Sequence, residues 1–238
     1  MSDANRQSTT PDPVEDLLTS TPATAYFWGR VAGGGKLTQD CVTVRTADET
    51  SADALAAIAG AGRTDHDHRI AARESAHDAS IVRFEDEYKL QVFGMLADRA
   101  SAALGLPIEG QGGGYRFDTF SEHRPQLVRG LLEACGTVCF RESEGSVGVS
   151  FVHDGEALLR TIQSLLESTD PRVPADELSE TSAGGYWFGL GDDADTEAFA
   201  RWVYAGSDGS GLYSMERRQK LRRSVERATS SEVGELSR

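Results

Sequence analysis

The stretch FWGRVAGGGKLT, Phe27–Thr38, decides how the chain is read. Three consecutive glycines before a lysine suggest a loop that cradles phosphate. A phosphate loop of the G-x-x-x-x-G-K-[S/T] type needs a glycine where Arg30 stands and a hydroxyl side chain where Leu37 stands. It also needs a strand before it and a long helix directly after it, whereas here an apolar helical segment comes first and a turn and strand follow. The glycines must serve another purpose.

A second stretch supplies it. VRGLLEACGTV, Val128–Val138, repeats the pattern of a small residue, three others and another small residue: Gly29 and Gly33 in the first copy, Gly130 and Ala134 in the second. Gly29 and Gly130 stand 101 positions apart. Small residues at i and i+4 share one helix face and let a second backbone come unusually close. Phe27, Val31, Leu127, Leu131 and Leu132 give both segments apolar surroundings. The spacing predicts two helices packed through these four small residues across a pseudo-two-fold axis.

The rest of the chain repeats around those helices. The first copy continues into a strand, CVTVRTAD, then a helix, ETSADALAAIAG, with Thr50 or Ser51 as N-cap and Gly60 as stop. HRIAARES and SIVRFEDEYKLQVFG alternate as strands do, and MLADRASAALG closes the copy as a helix. The second copy has the helix RPQLVRGLLEACG, a hairpin turning at Glu144-Gly145, a helix DGEALLRTIQSLLES with Asp154 as candidate N-cap, a strand GGYWFGLG, and helices from Thr196 to Arg227. The expected organisation is a disordered tail over residues 1–18, a first repeat over 19–109, a glycine-rich hinge over 110–116, a second repeat over 117–228 and a disordered tail over 229–238. The fold class is α+β with pseudo-two-fold symmetry.

Composition narrows the setting. Asp and Glu number 38 against 24 Lys and Arg, a formal charge of −14, and only Lys36, Lys89 and Lys220 are lysines. Such a carboxylate-rich, lysine-poor surface matches proteins of salt-accumulating haloarchaea, the alternative being an ordinary acidic protein from a GC-rich genome. No apolar run approaches the roughly 20 residues that span a bilayer, and the polar, acidic start is neither a signal nor a transit peptide. A cytoplasmic monomer is expected. Cys41, Cys135 and Cys139 form no disulfide framework, and no second Cys or His pair completes a zinc site, so they read as small, partly buried thiols.

The two glycine-bearing segments resemble the LAGLIDADG family, the fold of homing endonucleases. VRGLLEACGTVCF aligns with a family pattern of the type LRGLFDADGSVSF, and FWGRVAGGGKL with the type LLGLLLGDGSI. The closing FARWVYAGSDGSGLYSMERRQKLRRS also looks like the family's last segment, and the resemblance spans roughly residues 24–228. It implies two saddle-shaped antiparallel sheets joined by the paired helices. It also implies one carboxylate at the end of each helix, the two together binding divalent metal and hydrolysing DNA phosphodiesters. Those acid positions fall on Gly34 and Cys135. Glycine has no side chain, and a thiol is a soft ligand mismatched to magnesium. Glu133 is rotated about 200° from Cys135 on a helix of 3.6 residues per turn, and Asp40 lies beyond the helix. The expectation is a chain with no cofactor and no catalytic or metal-binding residue, most readily a DNA-binding regulator. Sporulation regulators with decayed domains of this type are the analogy. A protein- or small-molecule-binding module is one alternative, and an endonuclease using displaced acids is the other.

Double-stranded DNA would be contacted by alternate strand residues of the saddle, Arg45, Arg69, Arg73, Arg83 and Arg141, and by the basic segment carrying Arg217, Arg218, Lys220, Arg222 and Arg223. Asp65-His66-Asp67-His68 reads as a polar loop, and His153-Asp154 as a helix entrance. Trp28, Tyr186, Trp187, Trp202 and Tyr204 suit a core and its rim.

Overall fold

The computed structural model describes residues 11–60, 63–71, 83–170, 172–191 and 194–235. The first repeat comprises α1 (Pro22–Gly34), β1 (Lys36–Thr38), β2 (Cys41–Thr46), α2 (Glu49–Ala59), β3 (Arg63–Ala71), β4 (Arg83–Phe93) and α3 (Leu96–Leu104). The second comprises α4 (Arg124–Cys135), β5 (Gly136–Arg141), β6 (Ser146–His153), α5 (Glu156–Glu167), β7 (Ser179–Glu180), β8 (Tyr186–Gly189) and α6 (Thr196–Val203). A short α7 (Ser207–Ser210) and a long α8 (Met215–Glu235) follow. Each repeat builds one antiparallel four-stranded sheet, ordered β1-β2-β4-β3 in the first and β5-β6-β8-β7 in the second. Four strands shift the numbering and the order is unchanged, which is the duplication written in hydrogen bonds.

Helix α1 explains the centre of the molecule. It starts with a reciprocal cap, Thr21 and Thr24 each accepting from the other's backbone N–H, with Pro22 in the first turn. Every residue from Thr24 to Gly33 is buried, as expected of a helix enclosed on all sides. Its partner is α4. A Cβ on Gly29 would run into the Leu127 carbonyl oxygen and lie 3.0 Å from Gly130 Cα. A Cβ on Gly130 would run into the Tyr26 carbonyl oxygen and lie 3.0 Å from Gly29 Cα. A Cβ on Gly33 would lie 2.8 Å from that of Ala134. The contact is reciprocal, backbone against backbone.

One face of each sheet packs under the helices. Val42, Val44, Leu90 and Val92 point inward from the first sheet, and Val138, Val149, Phe151 and Phe188 from the second. The opposite faces carry the polar half of each alternating strand.

Several local expectations give way. Residues 11–18, expected to be disordered, dock on the core: Leu17 is buried, its carbonyl accepts from Trp28 Nε1 at 2.6 Å, and Asp16 pairs with Arg99 at 2.9 Å. Residues 1–10 lie outside the described residues. At the other end, α8 runs on to Glu235 in place of a tail from 229. The turn expected after α1 contains the strand β1. Helix α2 is capped by Asp48 in place of Thr50 or Ser51. The stretch Asp65–His68 is part of β3, because its alternation is satisfied by pairing with β4. Gly155 replaces Asp154 as the N-cap of α5, and His153 Nδ1 accepts from its N–H at 2.8 Å.

Replacing Gly130 by alanine drives a methyl group into the α1 backbone, which cannot give way as a flexible side chain can. A loss of at least about 1–3 kcal/mol is expected in urea denaturation. Gly34→Ala, where the new Cβ meets Ala134 no nearer than 3.4 Å, is expected to change stability by less than about 1 kcal/mol.

Candidate functional site

The paired helices end side by side at Gly34 and Cys135. Both ends are built alike: Gly35 donates back to the Val31 carbonyl at 2.7 Å, Gly136 to that of Leu132, and both adopt extended backbone leading into an edge strand. Gly34 carries no side chain to the shared axis. The Cys135 thiol turns back onto its own helix, donating to the Leu131 carbonyl at 3.3 Å, and a Cβ on Gly33 would lie 3.2 Å from its Sγ. Burial pushes this thiol up to about 12, against the opposing pull of the Arg217 guanidinium. Arg217 itself donates to the Gly136 carbonyl at 3.2 Å. Asp40 sits exposed in the β1–β2 turn. Among the described residues, no three His, Cys, Asp or Glu side chains gather into a metal-binding group.

Glu133 points elsewhere, into the interior. Only 3% of its surface is exposed, and four donors surround its carboxylate. Tyr26 OH donates to Oε2 at 2.7 Å and Arg30 Nη1 to the same oxygen at 3.2 Å. Tyr204 OH donates to Oε1 at 3.1 Å and the Ser214 N–H at 2.9 Å. A carboxylate offers about four lone-pair sites, and all are taken. Burial raises the Glu133 carboxyl above its ordinary value, partly offset by Arg30, and burial beside this carboxylate moves both tyrosines far above theirs. Nearby, the buried Arg129 guanidinium donates to the carbonyls of Val203, Leu212 and Ala205 at 2.7–2.9 Å and lies over the Tyr204 ring. Asp48 accepts from Ser214 Oγ at 2.7 Å and from the Met215 N–H at 2.9 Å, tying the start of α8 to the start of α2. Sequence reasoning missed this network. Its signal was present in Arg30, Arg129 and Glu133, charged residues each flanked by apolar or small neighbours within α1 and α4.

The open sheet faces differ in chemistry. On the first sheet, Lys36 pairs with Thr43, Thr43 with Gln91, Arg45 with Lys89, Lys89 with Asp65, and Glu87 with Asp67, so these side chains share the face away from the helices. Arg45 Nε stands 3.7 Å from Glu87. The described side chains thus balance three cations against three acids. Arg69 and Arg83 lie on β3 and β4 with their side chains outside the described residues, and Arg73 lies outside them altogether. The second sheet's open face carries Thr137, Cys139, Ser146 and Ser150, with exposed Val152 and Trp187 paired across β6 and β8. Arg141 is its cation, bound to Glu144 at 2.7 Å.

The basic segment is elsewhere again. Helix α8 lies on the helix-covered side of the second sheet: Arg227 stacks 4.5 Å from the Phe140 ring, while the next residue, Arg141, faces the open side. Among the described residues, the strand arginine Arg141 and the arginines of α8 therefore lie on opposite sides of the second sheet.

These features settle a family. A LAGLIDADG family model described as "Putative archaeal homing endonuclease" matches residues 1–231. The chain belongs to this LAGLIDADG family. Among solved structures, this LAGLIDADG chain is similar to full-length DUF199/WhiA from Thermatoga maritima (TM-score 0.48, 8% identity, covering 90% of this chain and 62% of that one). It is also similar to I-DmoI in complex with DNA and Mn (0.46, 12%, 80% and 99%) and to the N-terminal LAGLIDADG domain of DUF199/WhiA (0.47, 10%, 79% and 86%). The chain thus spans under two thirds of full-length WhiA. A search of curated proteins finds no match.

Two measurements probe the buried groups. Glu133→Gln leaves the Arg30 cation buried without its counter-charge, and a loss of about 3–5 kcal/mol is expected in urea denaturation. The Cys135 thiol, raised from 9.0 to about 12, stabilises the fold fully below pH 9 and loses that contribution as pH rises toward 12. The stability difference between wild type and Cys135→Ala should therefore shrink over that window, by up to about 1.4 kcal/mol per pH unit. A pH-independent difference would contradict the raised titration of this half-buried thiol.

Proposed function

We propose that this LAGLIDADG chain is a non-catalytic protein that binds double-stranded DNA and acts as a regulator, in the concentrated salt to which its charge of −14 is suited. The observation that carries the reading is the chemistry at the two helix ends. Metal-assisted hydrolysis of a phosphodiester needs hard oxygen ligands holding ions beside the attacking and leaving oxygens. Gly34 offers no ligand there, and Cys135 offers a neutral thiol turned onto its own helix. These residues do not fit a magnesium site. The two displaced acids fit no better: Glu133 is saturated by four donors in the interior, and Asp40 sits in a turn beyond the helix end.

DNA contact is supported by the family and by the open face of the first sheet. Thr43, Arg45, Lys89 and Gln91 project from neighbouring strands there, side chains able to donate to phosphates and base edges. Among the described side chains the acids Asp65, Asp67 and Glu87 offset Lys36, Arg45 and Lys89, so binding through these groups depends on close fit. A second reading applies to the other sheet, where exposed Val152 and Trp187 on a nearly uncharged face favour a protein or small-molecule ligand.

Plasmid DNA incubated with the protein and magnesium or manganese is expected to stay intact, while genomic fragments captured on the protein should include an enriched site. Arg45→Ala with Lys89→Ala should weaken that binding by about 1–3 kcal/mol per contact. Reproducible cleavage lost on substituting Glu133 or Asp40 would refute the non-catalytic reading, and capture without enrichment would favour the ligand module.

A further inference from the structure

Helix α8 carries Arg217, Arg218, Lys220, Arg222, Arg223 and Arg227 against Glu216 and Glu226 within its first turns, in a chain where acids outnumber bases 38 to 24. Most of these cations are engaged. Arg217 meets the Gly136 carbonyl, Arg218 meets Asp208, Arg222 meets Glu226, and Arg227 meets Glu142 while covering Phe140. Lys220 and Arg223 differ: both are exposed, and among the described residues no ion pair engages either. They border a hollow of about 410 Å³ lined also by Phe140, Glu216, Gln219, Ser224 and Arg227, three cations against one acid.

In a protein with so large an excess of carboxylates, two neighbouring cations outside any described ion pair, in a hollow where cations outnumber acids three to one, mark a place suited to an anion from outside. We infer that this ridge of α8 is a second phosphodiester-binding surface, separate from the open sheet face and on the opposite side of the second sheet. Its shape selects a polymer over a single ion. Lys220, Arg223 and Arg227 follow one another along the helix at rises of about 4.5 and 6 Å, a line of charges and not a cup around one phosphate. Leu221 and Ser224 point inward and hold the line in place without using it. A duplex presents one phosphate per strand about every 3.4 Å of axis, so a line of this length faces more than one of them. The inference rests on the DNA-binding reading only for the identity of the polymer.

The test compares the full chain with two double variants, Lys220→Gln/Arg223→Gln and Arg45→Gln/Lys89→Gln, for binding to one DNA duplex over a range of salt. Losing two phosphate contacts should lower the slope of log affinity against log salt by about 1.8, equally for any duplex sequence. Circular dichroism should show the α8 variant folded, since neither side chain holds a partner. An unchanged slope and affinity in that folded variant overturns the inference, as does displacement of the duplex from the ridge by inorganic phosphate or polyglutamate as readily as by unlabelled DNA. If the α8 variant loses slope while the Arg45/Lys89 variant binds as wild type, the ridge stands and the sheet-face reading falls. The reverse pattern removes the ridge and keeps the sheet face.

Discussion

The contact between Gly29 and Gly130 is the constraint from which the rest of the molecule follows. Two helix backbones touch where a single methyl group on either side would meet a carbonyl oxygen. Closeness at that point leaves little room along the whole seam, so Gly33 faces Ala134, and the Cys135 thiol is pressed back toward its own helix. The two sheets then take their places because each begins within two residues of its helix end, at Lys36 and Gly136. The same closeness sorts the remaining side chains of α1 and α4 outward, and the charged ones must find partners away from the seam.

They find each other. Arg30 comes from α1, Glu133 from α4, Tyr204 from the end of α6 and Ser214 from the approach to α8, with Asp48 joining from the start of α2. Enclosing such groups costs desolvation that ion pairing returns only in part, so the network is weak evidence for added stability. Its consequence is positional. The buried N–H of Ser214 and that of Met215 each have one acceptor, Glu133 and Asp48, and those acceptors belong to different repeats. The direction in which α8 leaves the core is fixed by these bonds more than by its own apolar stripe, which is narrow: Leu221, Val225 and Ala228.

Much of this was legible in the sequence because the fold is written twice. Small residues four apart, recurring at a fixed distance, are rare enough by chance to identify a helix pair, and the alternation of the strands then has one consistent assembly. What stayed hidden depends on contacts between distant segments. Asp48 could not be preferred over Thr50 or Ser51 as a cap, since all three are good caps and only the bond to Ser214 distinguishes it. Residues 11–18 look disordered by composition, yet Leu17 covers Trp28. Helical geometry turned Glu133 away from the seam, but whether it turned toward water or toward Tyr26, Tyr204 and two arginines was set by segments far along the chain. The side of the sheet on which α8 lies was hidden for the same reason.

Symmetry of the backbone has not kept the surfaces alike. Both sheets order their strands identically, yet one open face mixes Lys36, Arg45 and Lys89 with Asp65, Asp67 and Glu87, while the other is nearly uncharged around Val152 and Trp187. Two equal faces would suit a palindromic partner; two unlike faces suit a partner that differs along its length, or two partners. Net charge sharpens the distinction. At −14 the chain repels polyanions at long range, and screening in salt confines every attraction to a few ångströms. Local surplus of cations then matters more than total charge, and the described part of the first sheet has none. Among the described residues the surplus lies on α8, an element outside the duplicated pattern, whose place is set by a buried network that joins both repeats.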